Sequence, residues 1–163
     1  MTNTLLTPER EKLMRKLGLT EADFVKPLPR PFPWSQPFWD AARERRLVCK
    51  TCLDCGYVDH PPYLYCTACG SDRHEWRRAR GTATLVAYAV NTYSVPAAFM
   101  EDLPYVLAII KLPEGPQMIS NIVECDPAEL RNGLALEVVF HEAAQGFVLP
   151  KWRPARGGSR GAA

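Results

Sequence analysis

Four cysteines in two short knuckles constrain this chain more than any other feature. They stand in Cys52-Leu53-Asp54-Cys55-Gly56 and Cys66-Thr67-Ala68-Cys69-Gly70. Thiolates two residues apart fold back onto one tetrahedral ion, and a second such pair completes a closed shell of four sulfurs. A glycine follows each second cysteine, where the backbone turns sharply and only glycine enters positive φ without steric penalty. The ten residues from 56 to 65 that separate the pairs leave room for a short hairpin and little else. The pattern predicts a zinc ribbon, with Cys52, Cys55, Cys66 and Cys69 as ligands and zinc as a structural ion.

Two further cysteines need placing. Cys49, Cys52 and Cys55 are equally spaced, so Cys49 and Cys52 form an alternative first knuckle. That pair is followed by Leu53 instead of glycine, and Cys49 sits in the strand-like run Leu47-Val48-Cys49-Lys50-Thr51. It is therefore expected outside the ligand set. Cys125 stands alone in an apolar stretch and is expected to be a core thiol. Iron also accepts two such knuckles, which leaves an electron carrier as an alternative, although the short separation disfavours it. His60 and His74 flank the ribbon, but four thiolates already fill a structural shell.

A chain of 163 residues suits one compact domain with a small appended module. No run reaches the roughly 18 apolar residues of a membrane span. Met1 to Arg10 lack the basic start and apolar core of a secretory signal. Paired cysteines without such a signal suit a reducing compartment, so a cytoplasmic location and no membrane partner are expected. The formal net charge of +2 is weak for a sequence-blind nucleic-acid binder.

Thr7-Pro8-Glu9 reads as a helix start and Gly18 as its stop, with Leu13, Met14 and Leu17 on one face. Thr20 to Asp23 starts one further turn. Prolines at 27, 29, 31, 33 and 37 then enforce an extended arm carrying Phe32 and Trp34 as apolar anchors. Ser35 is a candidate cap for a second helix over 36–46, with Phe38, Trp39 and Ala42 on one side. Beyond the ribbon, strands are expected at 82–90, 105–112, 118–123, 136–140 and 147–149. Pro113-Glu114-Gly115 forms a turn, and Asp126-Pro127-Ala128-Glu129 a short helix before the penultimate strand. Five strands in this order suit a Greek-key barrel of the OB type.

The expected fold is thus mainly β: a rubredoxin-like zinc ribbon followed by a five-stranded OB-type barrel, with an N-terminal helical arm. Its divisions are 1–46 for the arm, 47–78 for the ribbon, 79–154 for the barrel and 155–163 for a disordered, glycine-rich tail. The histidines, His60, His74 and His141, are not in a recognised catalytic spacing. The chain lacks nucleophile-elbow, P-loop and dinucleotide glycine patterns. No catalytic residue is assigned. Pro96, Ala97, Ala98, Phe99 and Met100 form an apolar loop between strands that either packs over the barrel or lines a channel for an apolar substrate. Arg77, Arg78, Arg80, Lys151 and Arg153 are either solvated charges or contacts to phosphate.

Several segments together resemble one family. They are Pro37-Phe38-Trp39, the two knuckles with Pro61-Pro62 between them, Arg80-Gly81-Thr82-Ala83-Thr84, Phe99, Pro104-Tyr105, Leu112-Pro113-Glu114-Gly115-Pro116, Asn121-Ile122-Val123-Glu124-Cys125 and Leu149-Pro150-Lys151-Trp152-Arg153-Pro154. The family is that of zinc-ribbon plus OB-fold proteins associated with acyl-CoA metabolism, long catalogued as a domain of unknown function. Cys49 and the longer arm before Pro31 depart from its pattern. The resemblance implies a non-catalytic subunit that docks on a thiolase-like enzyme, or on a MaoC-like enoyl-CoA hydratase, and helps form its acyl-CoA site. Phe32, Trp34, Phe38 and Trp39 would then dock the partner, Pro96 to Met100 would complete the substrate tunnel, and the arginine and lysine set would meet CoA phosphates. A nucleic-acid-binding module is the alternative of another class. It would need basic and aromatic residues on the middle strands, where Val106 to Ile110 are aliphatic.

Overall fold

The computed structural model describes residues 8–156, which divide into two units. The first unit holds residues 8–27 together with Asn91–Pro104. Its helix α1 spans Pro8–Leu17 and stops at Gly18, whose φ of 66° turns the chain so that the Leu19 amide reaches the Met14 carbonyl at 3.0 Å. The cap expected at Thr7 lies outside the described residues. A 3-10 turn follows at Glu21–Phe24, entered through a hydrogen bond from the Thr20 amide to Asp23 Oδ2 at 2.7 Å. The segment expected as an apolar loop is a 3-10 helix, Ala97–Asp102, that packs against this turn. Lys26 Nζ and Asp102 Oδ1 pair at 2.6 Å within the same unit.

The second unit, Leu28–Val90 with 105–156, carries the arm, the ribbon and the barrel. The arm is extended up to a 3-10 turn at Pro33–Ser35, and helix α2 follows at Gln36–Arg43. Ser35 does not cap α2. Its hydroxyl turns back to Phe32, accepting from the amide and donating to the carbonyl, both at 3.0 Å, and so closes the preceding turn. The helix also ends three residues before the expected Arg46. Arg45 adopts a left-handed φ of 55° and the Arg46 amide reaches back to the Ala41 carbonyl at 2.8 Å, a closure that ends helices.

The ribbon sheet has the order β2-β1-β3, with β1 at Val48–Cys52, β2 at Val58–Asp59 and β3 at His74–Arg78. The expected hairpin between the knuckles is absent among the described residues. Instead β2 pairs back onto β1 with Lys50 opposite Asp59 and Thr51 opposite Val58, so the hairpin encloses the first knuckle. All five residues of β1 are buried, because β2 and β3 flank the strand and α2 packs on it.

The barrel strands are β4 (Thr82–Asn91), β5 (Tyr105–Lys111), β6 (Gln117–Ile122), β7 (Ala135–Glu142) and β8 (Val148–Pro154). They close in the order β4-β5-β6-β8-β7, and a 3-10 turn at Pro127–Glu129 precedes β7. The fold is mainly β with a closed five-stranded barrel, as the strand pattern predicts. The last strand runs five residues past the expected end at Leu149. Prolines 150 and 154 are tolerated because β8 pairs with β6 only at Trp152, leaving that edge largely free of ladder bonds. Inward residues Leu85, Ile110, Leu136 and Trp152 are no more than 1% exposed, and they share one core cluster with Phe38, Val48 and Cys49. Cys125 packs on this core from its edge, half-buried, instead of lying within it.

Candidate functional site

Two chemically informative sites occur in the second unit: the sulfur cluster and an aromatic cleft. The cluster is built by two knuckles of the same backbone design. The amide of each first cysteine donates to the carbonyl five residues on, Cys52 to Tyr57 and Cys66 to Ser71, both at 2.8 Å. The glycine amides return to the first cysteine, Gly56 to Cys52 at 3.0 Å and Gly70 to Cys66 at 2.9 Å. Gly56 and Gly70 take φ values of 72° and 77°, the left-handed turn that their positions after the second cysteine demand.

The sulfur atoms of Cys52, Cys55, Cys66 and Cys69 all lie within 4.8 Å of one another. Across the knuckles, Cys52 Sγ is 3.6 Å from Cys69 Sγ, and Cys55 Sγ is 3.6 Å from Cys66 Sγ. A tetrahedron with zinc–sulfur bonds of about 2.3 Å has edges near 3.8 Å, so the donor set fits zinc without rearrangement. The backbone amides of Cys55 and Asp54 hold the Cys52 thiol down at about 6, which favours the thiolate a metal needs. The neighbouring cluster sulfurs raise Cys55 and push Cys69 up to about 12, so a raised thiol does not by itself set apart Cys49. Burial, with the charge of Glu114 adding to it, pushes the Cys49 thiol up to about 11. Cys49 lies outside the cluster, as do His60 and His74. A closed four-sulfur shell has no open position for water activation, so this zinc is structural.

Two polar residues that read as ordinary charge in the sequence brace the linker between the knuckles. Lys50 is only 6% exposed, and its ammonium donates to the Tyr63 carbonyl at 2.5 Å and the Leu64 carbonyl at 3.2 Å. Asp59, also buried, accepts from the Thr67 hydroxyl at 2.5 Å. The only signal in the sequence was the place of Lys50 in the strand-like run just before the first knuckle.

The aromatic cleft has a volume of about 560 Å³. The arm forms one wall with Phe32 and Trp34, whose rings stack in parallel with centroids 4.6 Å apart. Trp39 of α2 contributes a second, and the linker from His60 to Tyr63 a third. Its floor comes from β6 and β8, where Lys151 contributes a cation. Phe38 is 7% exposed and belongs to the core, so of the four aromatic anchors Phe32, Trp34 and Trp39 are the ones that present a surface to the cleft. Burial holds His60 neutral, with its pKa lowered to about 4.

The expected phosphate-contact residues do not form one group. Arg153 is bound to Glu137 and Glu124, each at 2.7 Å, and Arg77 to Glu75 at 2.6 Å. Arg78 and Arg80 are exposed on the outgoing strand of the ribbon and just beyond it, while Lys151 lines the cleft. Pro96 to Met100 lie in the first unit, with Ala98 buried there. The outward face of β5 and β6 carries an aliphatic patch: Leu107, Ile109 and Ile119 are 44%, 37% and 69% exposed, with Ile109 directly opposite Ile119. No helix of the described residues is long and apolar enough to cross a membrane.

Comparison with known proteins agrees with this architecture. Residues 39–75 match the family model for the ChsH2 rubredoxin-like zinc ribbon domain, and residues 76–141 that for the ChsH2 C-terminal OB-fold domain. A probable enoyl-CoA hydratase alpha subunit of Thermomonospora curvata is 35% identical over 119 residues, 72% of this chain. The chain spans only 37% of that relative's length. DUF35 domain-containing scaffold proteins of Methanothermobacter thermautotrophicus and Methanocaldococcus jannaschii are each 33% identical, over 58% and 63% of this chain and 71% and 73% of theirs. A chain of the solved Ltp2-ChsH2(DUF35) aldolase superposes with a TM-score of 0.71 at 31% identity, covering 78% of this chain and 98% of that one. With both domain models met in order and two relatives matched over more than two thirds of their length, the chain belongs to the DUF35 family of scaffold proteins, built from a zinc ribbon and an OB fold.

Proposed function

We propose that this chain is a non-catalytic accessory subunit that docks on a thiolase-like acyl-CoA lyase or aldolase and helps to form its acyl-CoA site. The observation that carries this reading is its likeness, over nearly the whole matched chain, to a component of an aldolase assembly. Two physical features support it. The zinc shell is closed, so the ion holds the ribbon's shape and does no chemistry. The outward barrel face offers Leu107, Ile109 and Ile119 to a partner, whereas a nucleic-acid surface would need basic and aromatic residues there. The guanidinium groups of Arg78 and Arg80 form no ion pair with a described carboxylate, although the Arg80 amide donates to Glu114 Oε1 at 2.8 Å. These two are the arginines available to CoA phosphates. Pro96 to Met100 are the residues proposed to reach the acyl chain.

The test is co-expression with thiolase-like and hydratase-like enzymes of the same organism. Recovery of a stable complex whose cleavage activity needs both chains is the expected result. Failure to co-purify with either would overturn the reading. A MaoC-like hydratase is the second candidate partner, favoured by the likeness to the Thermomonospora enoyl-CoA hydratase subunit. Copurification with the hydratase alone would select it.

A further inference from the structure

The aromatic cleft is more than a seam between arm and barrel. Its volume of about 560 Å³ falls within the roughly 300–1,000 Å³ of small-molecule sites. Its aromatic wall is pre-set. Trp39 is held edge-on by Phe38 at 5.3 Å and by Phe147 at 5.7 Å, and Phe32 lies flat on Trp34 with planes 2° apart. Such fixed rings offer stacking surface at little ordering cost. The polar groups are equally selective. No carboxylate lines the cleft, while Arg30 and Lys151 do, and neither forms an ion pair with a described residue. His60, neutral through burial, adds hydrogen-bonding capacity without charge.

We infer that this cleft binds a small molecule joining a flat aromatic ring to an anionic group, with the ring against the Phe32, Trp34 and Trp39 wall and the anion at Arg30 and Lys151. A purine nucleotide and an aryl carboxylate share that chemistry. The inference concerns the chain alone and does not depend on the partner proposed above.

The test uses the full-length, zinc-loaded chain. ADP and 2-naphthoate are titrated by calorimetry, with the uncharged naphthalenemethanol as control, and the indole resonances of the four tryptophans are followed by NMR. Saturable binding of one anionic probe that moves the Trp34 and Trp39 signals is expected, and the probe that binds identifies the source. Lys151→Ala and Arg30→Ala should each weaken that probe about tenfold while leaving the uncharged ring compound unchanged, the loss typical of one charge-assisted contact. Unchanged spectra of the free variants would show that they remain folded. The inference is overturned if neither probe binds at millimolar concentration. Equal binding to wild type and variants, or shifts confined to Trp76 and Trp152, would overturn it too. Loss of the cleft site with retention of a partner complex would leave the scaffold reading standing.

Discussion

At the scale of single residues, ligand choice is decided by backbone and not by spacing. Cys49 and Cys52 are as far apart as Cys52 and Cys55, yet only the latter pair is followed by a glycine that turns at positive φ. Cys49→Ala should therefore retain one zinc per chain, and Cys52→Ser should lose it, as measured by metal analysis after gel filtration. Retention of zinc by Cys52→Ser, or its loss from Cys49→Ala, would reverse the assignment. His60 provides a pH test. Its folded pKa of about 4 lies below the ordinary value of 6.5, because burial penalises the imidazolium. The unfolded chain binds more protons between those values, so the neutral histidine's stability is complete above about pH 6.5 and is lost as pH falls toward 4. By pH 5 the loss amounts to about 2 kcal/mol relative to neutral pH. Denaturant midpoints of wild type and His60→Phe should diverge accordingly, with the wild type falling more steeply. Parallel midpoints would rule the effect out.

Among elements, β8 shows what the sequence displays and what it hides. The knuckles were legible because their chemistry is local: two residues between sulfurs, then a glycine. Strands β4 to β7 were legible because β-branched runs bounded by turns have few other uses. The extension of β8 to Pro154 was hidden, because two prolines normally end a strand and their tolerance depends on which neighbour pairs on which side. The cleft was hidden for a similar reason, since it needs arm, linker, β6 and β8 to converge from positions spread between residues 30 and 151. Trp152 makes the element's importance testable. It is fully buried and aligned with Val138 on one side and Ile122 on the other. Trp152→Ala should cost about 3–5 kcal/mol in equilibrium unfolding, the range for a fully buried large aromatic. A gentler probe is Gly81, at φ 76°, where an added Cβ would meet Val138 Cγ1 at 3.0 Å. Gly81→Ala combines left-handed strain with that contact and should cost about 1–3 kcal/mol. A change under half a kilocalorie would mean that the β4–β7 contact yields easily.

For the molecule as a whole, the question is how far the zinc's influence reaches. Around the knuckles the apolar side chains Leu53, Tyr57, Tyr63, Leu64 and Tyr65 are about half exposed, so the ribbon tip has little core of its own. The barrel, by contrast, closes over Leu85, Ile110, Leu136 and Trp152, which water barely reaches. The two share a cluster at the base of the ribbon, through Leu47, Val48 and Cys49, with Val58 and Trp76 packed against it. Binding energy of a structural zinc is largely folding energy for the segment that supplies its ligands. Removal of zinc by chelation in the presence of reductant should therefore open residues 52–73 and leave the barrel closed. Hydrogen exchange reads this directly: the amides of Cys52, Gly56, Cys66 and Gly70, all bonded within the knuckles, should lose protection on chelation. Those of β7 and β8, paired from Leu136–Pro154 to Glu142–Val148, should exchange at nearly their former rate. The same treatment should abolish docking of any partner that grips the ribbon while sparing one that grips the barrel face at Leu107, Ile109 and Ile119. Equal acceleration in both regions would mean that the ribbon and barrel unfold as one unit, and that zinc supports the barrel as much as the ribbon.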